Sequence, residues 1–287
     1  MRSHFRISST AAVACAVSGA TALMASHCSG QTILASDSAS DPAYSGGWAA
    51  GQNGGTGFGA WSFNGTDPTP AGTYQGISTS SSLGTSWALM ANSTSSGLAN
   101  AGRSINGGLQ AGQMFQTVIQ NPVNNNGGGY TYRGFDILFT SGTDNNVGGD
   151  NTSALRLSVF DFYNASMNWT INDATHTSSA LHTGLSGITT GASGMIVDLT
   201  LNSSTDYTLT LAPQSSPNSP YYSVSGTIAS PIDYVDFRNY NTTSSGPTDT
   251  ADNFNVGSME IMAVPEPSVF SLCGVGIASL LLYRRKK

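Results

Sequence analysis

Hydrolysis of a glycosidic bond needs two carboxylates in different environments, and in this 287-residue chain at least one would have to be an aspartate. Between residues 31 and 264 the sequence holds one glutamate, Glu260, against aspartates that include Asp136, Asp161, Asp198 and Asp236. Those four fall in runs of alternating apolar and polar residues, where one acid per strand is also what a solvated sheet face carries. A serine hydrolase would need a histidine base, and the same region offers only His176 and His182, both among Thr, Ser and Gly, with no Gly-x-Ser-x-Gly. Two histidines also fall short of a zinc ligand set. The three cysteines, Cys15, Cys28 and Cys273, lie at the chain ends. The central region therefore has no disulfide framework, thiol nucleophile or cysteine metal site. The reading is a protein without catalytic residues.

Two binding chemistries have more material. Asp144-Asn145-Asn146-Val147-Gly148-Gly149-Asp150-Asn151 gathers hard oxygen ligands around flexible glycines, as calcium loops do. It fails as an EF-hand, with Gly148 at the fifth position and Leu155 at the twelfth, where a bidentate glutamate belongs. A calcium site using Asp144, Asn146 and Asp150 with backbone carbonyls stays compatible with it, as does a polar hairpin loop. No other cofactor is expected. Carbohydrate binding would use aromatic faces against sugar rings and amides against hydroxyls. Tyr130 and Tyr132, spaced i, i+2 on one strand face, and Trp169 are the candidate platform. Seven Asn-x-Ser/Thr triplets occur, as expected by chance in a chain this rich in Asn, Ser and Thr.

The charges sort by position. Of ten basic residues, Arg2 and Arg6 open the chain and Arg284, Arg285, Lys286 and Lys287 close it. Residues 31–264 keep four arginines, no lysine and 15 of the 16 acidic residues, a formal charge of −11. Such a surface repels phosphate backbones, so nucleic acid is excluded as a partner.

The elements that must position these residues are strands. Phe135, Ile137 and Phe139 alternate onto one face of Tyr130–Phe139, and Leu155, Leu157 and Val159 do so in Ala154–Phe162, with Phe160 and Phe162 on the other face. Met195–Leu201 and Tyr207–Leu211 read as a hairpin across Asn202–Asp206. Further strands are expected at Met114–Gln120, Trp169–Asn172, Tyr221–Ile228, Tyr234–Asn239 and Phe254–Met262, and no segment keeps a 3.6-residue period over 12 positions. The glycine-rich stretch 41–60 reads as a lid or an irregular first hairpin. The expected fold is all-β, a single β-sandwich or jelly roll over residues 31–263.

The two ends read as addresses. Residues 1–30 have a positive start, a small-residue apolar stretch and room for cleavage between Ala25 and Gln31, the form of a secretory signal peptide. At the other end Val264-Pro265-Glu266-Pro267 precedes the apolar run Val269–Tyr283 and the basic Arg284-Arg285-Lys286-Lys287. The run is shorter than the ~20 residues of a full span, and the cations favour a cytoplasmic tail. This arrangement resembles the PEP-CTERM sorting signal of Gram-negative bacteria, over residues 264–287 only. The resemblance implies a short transmembrane helix, processing near the tripeptide by a membrane-embedded exosortase, and a carrier associated with extracellular polysaccharide and biofilm. The central region is similar to the lectin-like β-sandwich bodies common among such proteins, through Gly57-Phe58-Gly59-Ala60-Trp61-Ser62-Phe63, Trp169-Thr170-Ile171-Asn172-Asp173, Phe237-Arg238-Asn239-Tyr240-Asn241 and Asp252-Asn253-Phe254-Asn255-Val256.

Together these readings give an exported, surface-sorted structural or adhesive protein of the extracellular matrix, held transiently in the membrane by its C-terminal segment. A lectin-like module that binds carbohydrate, with calcium if the loop holds it, is the alternative, and a polysaccharide hydrolase or lyase ranks last. Replacement of Glu266 by alanine should leave full-length precursor in the membrane fraction on immunoblots. Processing of that variant at the normal rate would contradict the sorting reading.

Overall fold

Alternating apolar residues put one face of each strand into a common core, and the strands answer with two sheets. The computed structural model describes residues 31–63, 73–91, 98–120, 133–142, 153–161, 168–174, 194–240 and 253–264. Residues 33–264 form one compact unit. The larger sheet has eight strands: β1 (Thr32–Ser38), β2 (Thr73–Ser81), β3 (Gly84–Ala91), β5 (Gln113–Gln120), β9 (Met195–Leu201), β10 (Asp206–Pro213), β11 (Tyr222–Thr227) and β13 (Phe254–Ala263). Its order is β11-β10-β9-β5-β13-β3-β2, with β1 on β13. The smaller sheet joins β4 (Leu98–Ser104), β6 (Arg133–Thr140), β7 (Ser153–Asp161), β8 (Asn168–Asn172) and β12 (Tyr234–Tyr240) in the order β4-β12-β6-β7-β8. The all-β two-sheet architecture expected from the sequence is the one observed.

Aromatic pairs join the two sheets across the core. Phe254 of β13 stacks on Phe135 of β6 at 4.4 Å, and Phe115 of β5 meets Phe139 of β6 edge-on at 5.2 Å. Burying one such ring contributes roughly 1.5–3 kcal/mol. The Asn239 amide donates to the Leu89 carbonyl of β3 at 2.8 Å, a polar tie through the same layer. On its outer face the larger sheet carries a ladder of hydroxyls, Thr208 with Ser225 and Thr210 with Ser223.

The stretch 41–60 folds back onto β1 antiparallel, as the irregular hairpin of the sequence reading. A 3-10 turn at Pro42–Tyr44 is followed by isolated bridges, Ser36 to Thr56 and Phe58 to Ile105, with Ser62 to Gly102 just beyond. Gly55 is needed where the chain crosses β1, because a Cβ there would stand 1.9 Å from the Ser36 carbonyl oxygen. The segment delivers Tyr44, Trp48 and Trp61 to the core, where Tyr44 and Trp61 each meet Trp87 of β3 edge to face and Trp48 meets Trp61 in the same way.

What fastens it is Arg103 of β4, fully buried. The guanidinium pairs with Asp37, donates from Nη2 to Asn53 Oδ1 at 2.5 Å and reaches the Gly59 carbonyl from Nε and Nη2. It also lies over the rings of Phe58 and Trp61, 5.0 and 4.7 Å from their centroids. Tyr44 donates its hydroxyl to Asp37 at 2.6 Å and accepts from the Gly54 amide and the Trp61 indole.

Burial, and then the Asp37 carboxylate, push the Tyr44 phenol up to about 12. Burial, reinforced by Asp236, does the same to Tyr234, and burial with Asp173 raises Tyr207 further. A raised phenol holds its proton longer in the folded state than in the unfolded chain. Its contribution is therefore complete below the ordinary value of 10.0 and is lost as pH climbs through the folded value. Stability should fall steeply between about pH 10 and 12, read by denaturant unfolding at each pH. Phenolate absorbance at these tyrosines should rise together with unfolding; independent titration near pH 10 would contradict the assignment.

Candidate functional site

Strand β12 divides its side chains between two worlds. Val235, Phe237 and Asn239 face the core, while Tyr234, Asp236, Arg238 and Tyr240 take the opposite face of the smaller sheet. Cross-strand register brings further polar groups beside them. Arg238 stands opposite both Asn100 of β4 and Asp136 of β6, and Asp236 stands opposite Gly102 and Leu138.

The charges on this face are paired and almost wholly out of water. Arg238 Nε donates to Asp236 Oδ2 at 2.7 Å, and Asn100 Nδ2 donates to the same oxygen at 3.0 Å. Asp136 Oδ2 accepts from Arg156 Nη2 and from the Tyr240 hydroxyl, each at 2.8 Å. Burial works against the Arg238 cation, but Asp236 and Tyr240 outweigh it and raise its pKa. Burial, then Asp136, holds the Tyr240 phenol well above its ordinary value. A phenol raised in this way keeps its proton at neutral pH.

At the end of this face lies an open groove of about 650 Å³, within the ~300–1,000 Å³ range of small-molecule sites. Its lining comes from the β4–β5 connection, the end of β6 and the β11–β12 connection. Backbone bonds zip these segments together: Ile105 N to Asp233 O and Leu109 N to Ile232 O at 2.7 Å, and Asp233 N to Thr140 O at 3.0 Å. The Asp233 carboxylate accepts from the Gly142 amide, and Gln110 Nε2 donates to the Gly107 carbonyl. The buried Ile105, Leu109 and Ile232 form the apolar floor, and Asn106 and Gln110 stand exposed at the rim.

Tyr234 joins groove and charged face. Its hydroxyl shares a hydrogen bond with Ser62, and its ring lies over Gly102, whose amide and carbonyl both bond to Ser62. A Cβ on Gly102 would stand 2.5 Å from Tyr234 Cε1, so the ring needs glycine beneath it.

The sequence alone gives each of Asp136 and Asp236 as a solvated strand acid. They are instead buried ion-pair partners, because their arginines stand on neighbouring positions of the same sheet face. Asp198 and Glu260 both stand opposite Gln116 on the outside of the larger sheet. Strand spacing of ~4.8 Å separates them by roughly 10 Å. Gln116 donates to Asp198 at 2.8 Å, and burial raises the Asp198 pKa against that bond. Trp169 lies in β8 opposite Val159. Tyr130, Tyr132, Asp144, Asn146, Asp150, His176, His182, Pro265, Glu266, Pro267 and the basic tail Arg284–Lys287 lie outside the described residues; Val264 bonds from its amide to the Gly112 carbonyl. Among the described residues no cluster of metal-ligating side chains occurs, and no helix is long and apolar enough to cross a membrane. The groove residues Asn106, Gln110 and Asp233 are absent from the sequence-based candidates. The signal for them was slight: Asn106-Gly107-Gly108 and Pro231-Ile232-Asp233 are turn chemistry that any β protein carries.

No protein-family model matches the chain, and no curated protein does. Among solved structures, the chain is similar to the VIP36 exoplasmic/lumenal domain in its calcium- and Man2-bound form, with 10% identity, a TM-score of 0.41, and 72% of this chain and 83% of that one covered. The legume lectin-like domain from Entamoeba histolytica shares 8% identity at a TM-score of 0.44, covering 71% and 90%. The T. cruzi calreticulin globular domain shares 8% at a TM-score of 0.47, covering 74% and 87%. Likeness at this level assigns no residue of the groove.

The Tyr234–Gly102 contact can be measured by a double-mutant cycle. Gly102→Ala should cost about 1–3 kcal/mol by overpacking in denaturant unfolding. In a Tyr234→Ala background the same methyl should cost much less. Additive effects would contradict the contact.

Proposed function

We propose that the protein is a lectin-like carbohydrate-binding module and that the groove beside Tyr234 is its binding site. The observation that supports this is the composition of that groove: a carboxylate, two exposed amides and glycine backbone around an apolar floor, on loops tied to the sheet by backbone bonds. Sugars present hydroxyls in fixed directions and apolar ring faces between them. Amide and carboxylate side chains meet the hydroxyls, and a preformed rim spares the ordering entropy that a mobile loop would lose.

The sequence at the chain ends supports a route to the cell surface for this activity. Residues 1–30 export the protein, and the segment from Val264 to Lys287 holds it in the membrane until an exosortase-type enzyme processes it at Pro265-Glu266-Pro267. The module then meets extracellular polysaccharide at the cell surface, where binding makes it an adhesive component of the matrix. The loop of Asp144, Asn146 and Asp150 is the proposed place for a calcium ion.

A glycan array probed with the full-length protein, with and without chelator, tests the reading. Binding should appear, and Asn106→Ala and Gln110→Ala should each weaken it about five- to tenfold, the loss of one hydrogen bond, with the circular dichroism unchanged. Absence of binding to every glycan, or binding indifferent to both substitutions, would contradict it.

A further inference from the structure

We infer that the groove's ligand is an uncharged or amine-bearing glycan and that uronate, sulfate and phosphate polymers are rejected. This rests on the groove as the carbohydrate site and names its ligand class. Residues 31–264 contain four arginines and no lysine. Arg103 is buried against Asp37, Arg238 against Asp236, and Arg156 binds Asp136. Arg133, the fourth, stands opposite Asp161 in the β6–β7 register. The three arginines whose side chains are described each hold an aspartate.

Recognition of a carboxylated or sulfated sugar ring calls for a charge-assisted donor, most often the fork of an arginine. Among the described residues, the groove lining contains none, and its one charged residue is Asp233. An anionic sugar there would meet a carboxylate at short range and the formal charge of −11 of residues 31–264 beyond it. A hydroxyl can donate to Asp233 and to the amide oxygens of Asn106 and Gln110. A protonated sugar amine can do the same with a favourable charge.

The test uses full-length protein and three oligosaccharide series of matched length: a neutral hexose series, an N-deacetylated amino-sugar series and a uronate series, titrated calorimetrically at low and at physiological salt. The neutral and amino series should bind, with uronates at least about tenfold weaker than neutral at low salt and the gap narrowing as salt screens it. Asn106→Lys, which adds a cation at the rim, should raise uronate affinity at least about fivefold. Uronates binding as tightly as neutral sugars, or an Asn106→Lys variant with unchanged uronate affinity, would overturn the inference and leave the site standing. Failure of all three series to bind would overturn the site itself, and the inference with it.

Discussion

The guanidinium of Arg103 is taken wholly out of water, and the N-terminal segment is built around that fact. Desolvating one such ion costs several kcal/mol, which only good geometry and complete hydrogen bonding offset. Asp37 supplies the countercharge, Asn53 and the Gly59 carbonyl accept from Nε and Nη2, and Phe58 and Trp61 cover the faces. Each partner except Asp37 comes from the irregular stretch between β1 and β2, so one buried cation fixes a segment with little ladder of its own. Trp61 and Tyr44 then reach the core and close the sandwich edge beside β4.

The same device recurs on the far side of β12, where Asp236 with Arg238 and Asp136 with Arg156 fill a sheet face that water would otherwise occupy. Breaking one partner of such a pair strands the other charge, so its loss is costly. Tyr234, two residues before Asp236 on the same face of β12 and with its ring over Gly102, carries this face to the groove. A chain with four arginines in this region that commits three to observed ion pairs has few means to attract anions. Charge economy in the fold and the ligand class inferred for the groove are thus linked.

Fold class was legible in the sequence because alternation of period two survives almost anywhere: the strands read from residues 114–120, 195–201, 207–211, 234–239 and 254–262 coincide with β5, β9, β10, β12 and β13 within a residue or two. β1 to β4 were harder. Thr73–Ser81 and Leu98–Ser104 consist mostly of Ser, Gly, Ala, Asn and Thr, whose small side chains give weak hydrophobic contrast even when buried. The charged face was half visible. Asp236, Arg238 and Tyr240 share one side of β12 in any strand reading, but the partners Asn100, Asp136 and Arg156 lie on strands far away in sequence. Groove residues were hidden for another reason: a site made of turns is distinguished by which turns meet, and only the register of β4, β6 and β12 decides that.

Amide chemical-shift mapping of the full-length protein against a neutral oligosaccharide puts the account to its most direct test. Shifts should cluster at Asn106, Gly107, Gln110, Asp233 and Tyr234 and fade along β12 toward Asp236. Shifts centred on the Thr208–Ser225 hydroxyl ladder of the larger sheet, with the groove silent, would contradict it.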